Sequence, residues 1–443
     1  MQCKNSKYLL LLLSVSLSAW LSAEPLTLER CLELAERNNA QLKEAQMEVE
    51  KANEVKKGAL TKYFPQVQAI GGGYYALNPL FVYGIDDIEN QQIREALKTF
   101  FNNYGADLGL KSDIELFQKT YALSATAMQP VFFGGQIYNG NKLAELGSQA
   151  QQLRYRIARR EVLRQAEEQY WLVMSLREKQ KTLSKAFELI DTTETALTAA
   201  LEAGLRLPAD RLRLNARREQ LRQQSLQLTH GIDLATRALA LTIGTDSITL
   251  PDTLILSLSE DTTALSPFSD DSPYGREEEQ LLMLDVEAQQ IQKKIEVGKS
   301  LPKIMIGATY TYNNISRHHH NGIFFATVQI PLSQWWETSH QIRHQQLNLA
   351  QAQLRQTDLS KKLSLARRKH YYDLVEAREQ LRASRSLIDD AKESYRLTLL
   401  NYEAGLATMS ELLEAQTLLI QTQNKQADAY ISYRLALRDV KGF

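Results

Sequence analysis

The stretch "LEAGLRLPADRL", residues 201–212, has a counterpart in "YEAGLATMSELL", residues 402–413, so the tetrapeptide Glu-Ala-Gly-Leu occurs twice at an offset of 201. At the same offset Ala125, Thr126 and Pro130 fall on Ala326, Thr327 and Pro331. From each proline to its glycine, 130 to 204 and 331 to 405, the chain takes 74 steps with no net insertion. A continuous helix of that length runs about 110 Å at 1.5 Å per residue, so one inserted residue would move a turn away from the height of its twin. Upstream the register changes. "YFPQVQAI" from Tyr63 faces "SLPKIMIG" from Ser300, and Lys56-Lys57 face Lys293-Lys294, at an offset of 237. The difference of 36 residues lies between Pro65 and Pro130, which marks a longer excursion in the first half, read as a loop from Asn78 to Lys119.

Each half has the same order of local patterns. Leu26–Lys62 is proline-free and rich in Glu, Lys, Ala and Leu, which predicts a helix stopped at Phe64-Pro65. Its counterpart is predicted from about Arg276 to Ser300. After Pro302 the period becomes two: Ile304, Ile306, Ala308, Tyr310 and Tyr312 alternate with Lys303, Gly307, Thr309, Thr311 and Asn313. A return strand from about Gly322 carries Phe324, Ala326, Val328 and Ile330 on one side and stops at Pro331. In the first half Val67, Ala69 and Tyr75, then Tyr121, Leu123, Ala125 and Ala127, repeat the pattern more weakly up to Pro130. Strands of about ten residues with one apolar face match an outer-membrane barrel. Four strands do not close a barrel, and open edges are not tolerated in lipid, so a membrane role would require several copies. From Gln136 and from Ser339 the pattern is helical again. Leu143, Leu146, Ala150, Leu153 and Ile157 form a narrow coiled-coil seam, as do Leu412-Leu413 and Leu419-Ile420.

Composition narrows the possibilities. Residues 1–23 read as an export signal: Lys4 and Lys7, an apolar run from Tyr8 to Leu21, then Ser22 and Ala23. That run is too short for a spanning helix, and no comparable run follows. Removing it takes away Cys3 and leaves Cys31 alone, so no intramolecular disulfide can form. The 52 basic residues balance the 52 acidic ones, which argues against nucleic acid as the main partner. No nucleophile triad, phosphate loop or cysteine metal cluster is present, so neither an enzyme nor a cofactor is expected. His340 and His344 have the i, i+4 spacing of a helical metal pair, but Gln341 stands where a zinc protease carries its catalytic Glu. His318, His319 and His320 fall between two strands, on a surface loop.

The paired Glu-Ala-Gly-Leu turns, Phe64-Pro65 and Leu301-Pro302 ahead of the strands, Pro130 and Pro331, and "SELLEAQ" from Ser410 make the chain resemble the outer-membrane efflux proteins, the TolC-like exit ducts. The resemblance covers nearly everything after the signal. It implies a mainly α fold with a small β part: a periplasmic α-barrel of long coiled-coil helices plus four membrane β-strands per chain, twelve in a homotrimer. It further implies residues 24–250 as the first structural repeat, 251–275 as an equatorial linker and 276–443 as the second repeat. The protein would sit in the outer membrane of a Gram-negative bacterium, extend into the periplasm, and serve efflux or type I secretion as a passive conduit. Its partners would be outer-membrane lipid, a periplasmic adaptor and an inner-membrane transporter. Matching the family turn residue by residue implies a pore constriction at Glu411 and Glu414 and a gate latch at Tyr402 and Asp210. The same match implies adaptor docking at Gly204, Leu205, Gly405 and Leu406. The basic partner usual in the family latch is absent, because Ala407 stands in its place, which leaves Arg206 as a substitute cation. From the residues alone, an exported coiled-coil scaffold without a pore is the alternative reading.

Overall fold

The structure is a computed structural model that describes residues 26–105, 107–109, 113–116, 119–246, 248, 268, 274–315, 318–332 and 334–442. The export signal and nearly all of the 251–275 linker lie outside the described residues. The chain divides into two units, one of residues 52–148 and 286–352 and the other formed by the remaining segments.

In chain order the helices are α1 (Leu28–Asn38), α2 (Ala40–Leu60), α3 (Gln91–Phe100), α4 (Gln136–Glu202), α5 (Pro208–Ile243), α6 (Arg276–Lys299), α7 (Gln334–Glu403) and α8 (Met409–Lys441). The strands are β1 (Gln66–Tyr75), β2 (Phe81–Gly84), β3 (Asp113–Leu116), β4 (Lys119–Phe133), β5 (Lys303–Asn313) and β6 (His320–Gln329). The two proline-to-glycine spacers are occupied by α4, with 67 residues, and α7, with 70. No described helix is both long and apolar enough to cross a membrane.

The duplication appears in the hydrogen-bond registers. β1 pairs with β4 so that Gln66 faces Met128, and β5 pairs with β6 so that Lys303 faces Gln329. Adding 237 to the first partner and 201 to the second carries one pair onto the other, so the offsets read from the sequence relate the two hairpins residue for residue. The hairpins join through β4 and β5 into one antiparallel sheet of order β1-β4-β5-β6. Opposite residues of an antiparallel pair share a face. One face therefore carries Val67, Leu123, Tyr121, Ile306, Tyr310, Tyr312, Phe324 and Val328, all exposed, with Phe324 at 89%. The other carries a polar ladder in which Thr126 Oγ1 and Thr309 Oγ1 bond at 2.9 Å. Among the described residues no strand pairs with the outer edge of β1 or of β6.

Four expectations change. The helix predicted over Leu26–Lys62 is broken at Asn39, whose ψ of 130° leaves the helical region. The Asn39 side chain explains the break: Oδ1 accepts from the Leu42 N–H at 3.2 Å while Nδ2 donates to the Thr242 carbonyl at 2.8 Å, so it caps α2 and ties it to α5. The first strand pair does not end at Pro130. β4 continues to Phe133, and a register irregularity between Pro130 and Phe132 accommodates the residue that has no N–H to donate. The first long helix starts at Gln136, as its pattern indicated, after Gly134 and Gly135 at positive φ, whereas α7 begins at Gln334 rather than Ser339. The excursion read as a loop carries elements of its own, α3 and the β2-β3 pair.

The unit that includes α1 has a core of Val162, Leu163, Trp171, Met174, Leu239, Ile243, Leu374 and Tyr430 around a fully buried Cys31. Each such apolar side chain contributes on the order of 1.5–3 kcal/mol when removed from water. Burial, reinforced by the nearby Glu167 carboxylate, pushes the Cys31 thiol up to about 12 from its ordinary 9.0. Since the folded value is the higher one, this group supports the fold fully below pH 9.0 and progressively less as pH rises toward 12. Iodoacetamide at pH 8 is expected to leave Cys31 unmodified in the native protein and to label it fully in denaturant; rapid native labelling would contradict the burial.

Candidate functional site

Two features stand out among the described residues: the sheet with its exposed apolar face and unpaired outer edges, and the pair of turns where the long helices double back. Both turns are built alike. Gly204 and Gly405 adopt φ of 72° and 79°, a left-handed conformation that a Cβ disfavours. The Leu205 N–H donates to the Ala200 carbonyl at 2.9 Å, and the Leu406 N–H to Asn401 at 2.8 Å, so even the closing bonds are related by the offset of 201. The turns end in exposed leucines, Leu205 at 76% and Leu406 at 80%. Behind them Ile190, Leu197, Leu214, Leu221, Met409 and Leu412 pack into a core.

The helices that follow start differently. α5 begins with Pro208 and no side-chain cap, whereas Thr408 caps α8 through a reciprocal box with Glu411. Glu411 Oε2 accepts from the Thr408 N–H at 2.7 Å and from its hydroxyl at 3.0 Å, and these bonds hold the exposed carboxyl below its usual range. The signal for this was present in the sequence as Thr408-x-x-Glu411. Glu411 is thus turned back onto its own helix start. Glu414, one turn further on, is exposed and lines an open groove with Leu413 of α8 and Arg213 and Arg217 of α5.

Tyr402 and Asp210 are both buried, at 5% and 7% exposure, and close enough for the Asp210 charge to act on the Tyr402 phenol. Asp210 Oδ1 accepts from Arg213 Nη1 at 3.2 Å. Among the described residues the buried Tyr402 hydroxyl has no hydrogen-bond partner. Burial pushes its pKa up; the Arg206 charge opposes this and the Asp210 charge adds to it. Arg206 is the cation that stands beside Tyr402. Its guanidinium lies 4.1 Å from the centre of the Tyr402 ring, donates to the Tyr402 carbonyl, and reaches the Ala407 carbonyl at 3.4 Å. One side chain from the first turn therefore holds the backbone of the second on both sides of Gly405.

The histidines behave as surface residues. His319 Nδ1–H donates to the Asn313 carbonyl at 2.9 Å, His320 Nδ1 is 2.9 Å from the Tyr310 hydroxyl, and His340 and His344 are exposed on α7. Among the described residues no three His, Cys, Asp or Glu side chains converge on a metal position.

Residues 280–441 match the model of the outer membrane efflux protein family. The solved structure of CusC superposes with a TM-score of 0.79 at 12% identity, covering 94% of this chain and 92% of that one. The outer-membrane protein VceC of Vibrio cholerae gives 0.73 at 16% identity, over 94% and 96%. The CmeC outer-membrane channel of Campylobacter jejuni gives 0.72 at 14%, over 93% and 84%. No curated protein sequence matches the chain.

Proposed function

We propose that this chain is the exit duct of a tripartite efflux or type I secretion system, a passive conduit that works as a homotrimer. The observation that carries the reading is the sheet: four strands, an exposed apolar face and two bare edges. Such edges are not stable in lipid, and three copies closing into twelve strands remove them all. The helices then continue as a tunnel into the periplasm, ending at the paired turns. Leu205 and Leu406, exposed beside Gly204 and Gly405, supply apolar knobs for a periplasmic adaptor coupled to an inner-membrane transporter. Purified in detergent without refolding, the protein is expected to run at the mass of three chains and to insert into planar bilayers as a channel. A monomer that never inserts would overturn the reading in favour of a scaffold.

The same reading assigns the constriction to the start of α8. Glu411 and Glu414 would present six carboxylates around a trimer axis, a ring that attracts cations. Because Glu411 is held by Thr408 and Glu414 is exposed, block by divalent or trivalent cations is expected to depend mainly on Glu414. Single-channel recording should show block reduced about tenfold in Glu414→Ala and little changed in Glu411→Ala. Block that persists in the double variant would remove both residues from the constriction.

A further inference from the structure

The groove between α5 and α8, close behind the paired turns, is lined by matched positions of the two repeats. At the offset of 201 Arg213 corresponds to Glu414, Arg217 to Leu418 and Gln220 to Gln421, and both members of each pair line the groove. The duplication therefore supplies two equivalent walls, and their side chains have become unlike. Arg213 and Arg217 stand four residues apart on one face of α5, where the α8 wall carries Glu414 and Leu418. The groove has a volume of about 430 Å³. Small-molecule sites fall in the range of about 300–1,000 Å³.

The two arginines differ in what they face. Arg213 Nη1 lies 3.2 Å from Asp210 Oδ1, so its charge is matched. Arg217 is not matched in this way. Among the described residues its buried Nε–H has no acceptor, and its Nη1 donates to the neutral Gln220 Oε1 at 3.4 Å. Burial pulls the Arg217 pKa below its ordinary value with no carboxylate opposing it. The guanidiniums of Arg159, Arg164, Arg218 and Arg396 move the other way, each raised by a carboxylate that pairs with it. A guanidinium does not lose its proton in a protein, so Arg217 stays charged and the cost of its desolvation is not offset. Its planar fork of donors suits a carboxylate. Beside it Leu418, 50% exposed, and Leu413 give the groove an apolar surface.

We propose that this groove binds a small organic monoanion, its carboxylate on Arg217 and its apolar body on Leu413 and Leu418, with Glu414 repelling any second negative charge. The site stands on these contacts; its place on the path of cargo rests on the reading above that puts the constriction at the start of α8. The test uses the full chain purified in detergent and 2-naphthoate as the probe, measured by equilibrium dialysis with binding to protein-free micelles subtracted. 2-Naphthamide, similar in shape and uncharged, is expected to bind about tenfold more weakly, and Arg217→Gln to weaken 2-naphthoate binding about tenfold, because each loses the charge-assisted pair. Glu414→Gln should tighten binding severalfold by removing a like charge. Arg217→Gln should also melt at or above the wild-type temperature, since it removes a buried charge that has no partner. Equal binding of the two probes, or unchanged binding in Arg217→Gln, would overturn the site. A lower melting temperature in Arg217→Gln would show that Arg217 is already paired within the protein, and would overturn it too. Binding that is unchanged or weaker in Glu414→Gln would remove Glu414 from the proposal. In planar bilayers 2-naphthoate should reduce the wild-type current, with block about tenfold weaker in Arg217→Gln. Arg217-dependent binding by a protein that forms no channel, or whose channel 2-naphthoate does not block, would keep the site and overturn its place at the constriction.

Discussion

Replacing Gly298 by alanine is expected to prevent recovery of the folded protein. A Cβ on Gly298 would lie 2.2 Å from the Gly134 carbonyl oxygen, and a Cβ on Gly134 would lie 2.1 Å from that of Gly298. Both obstacles are backbone, at the point where β4 gives way to α4 and α6 leads into β5, so neither can rotate away as a side chain would. Gly134 is also held at φ of 62°. Relief requires the two segments to separate by about an ångström or more, opening packed structure around them, a change worth about 3 kcal/mol or more. The measurement is the yield and melting temperature of the detergent-extracted protein. Gly147→Ala in α4 is the comparison: a Cβ there meets nothing within 4 Å, and alanine favours the helix by about 0.5–1 kcal/mol, so that variant should melt at or slightly above wild type. If Gly298→Ala assembles and melts like wild type, the backbones do not approach as closely as the structure places them.

The second large effect is expected at the turns. Arg206→Ala should raise single-channel conductance severalfold in the absence of any adaptor, or replace a mostly closed record by one with frequent openings. Arg206 combines a cation–π contact with Tyr402 and two donor contacts to the Tyr402 and Ala407 carbonyls. Contacts of these kinds are each worth on the order of 1 kcal/mol. Together, about 2–3 kcal/mol would move a two-state equilibrium by about 30- to 150-fold toward the open packing. Arg206→Lys keeps the charge but loses the planar fork that reaches two carbonyls, so it should open partway. Tyr402→Phe is the discriminating comparison. Among the described residues the Tyr402 hydroxyl has no hydrogen-bond partner, so its removal should leave conductance near wild type, unlike a latch that runs from that hydroxyl to Asp210. Increased conductance in Tyr402→Phe with none in Arg206→Ala would reverse the assignment.

Much of this architecture was legible because the chain says most things twice. Equal 74-residue spacers and matched glycine turns marked α4, α7 and the two doubling-back points, and alternating residues marked all four strands of the sheet. Errors arose where one side chain overrode a local pattern. Asn39 stands in a run of helix formers, and it breaks the helix only because Thr242, about two hundred residues away, offers a carbonyl for its amide. Pro130 reads as a strand end, yet β4 passes through it because its position falls at an irregularity in the ladder with β5. At the turns the sequence pointed to Glu411, Tyr402 and Asp210 as functional groups, and the structure reassigns their partners. Glu411 is taken by Thr408, Asp210 by Arg213, and Tyr402 by Arg206 through its ring and carbonyl rather than its hydroxyl.

The sequence by itself determined the periodic features: where helices run, which strand residues share a face, where the chain must reverse, and that the second half repeats the first. These follow from spacing along a chain whose repeat distances are set by backbone geometry, so they need no knowledge of what lies opposite. Only the tertiary structure decided the pairings between distant segments: β4 with β5, Gly134 against Gly298, Arg206 over Tyr402. Each is a contact between residues more than 150 positions apart, selected by which surfaces the folded backbone brings within a few ångströms, and short-range pattern carries no record of it.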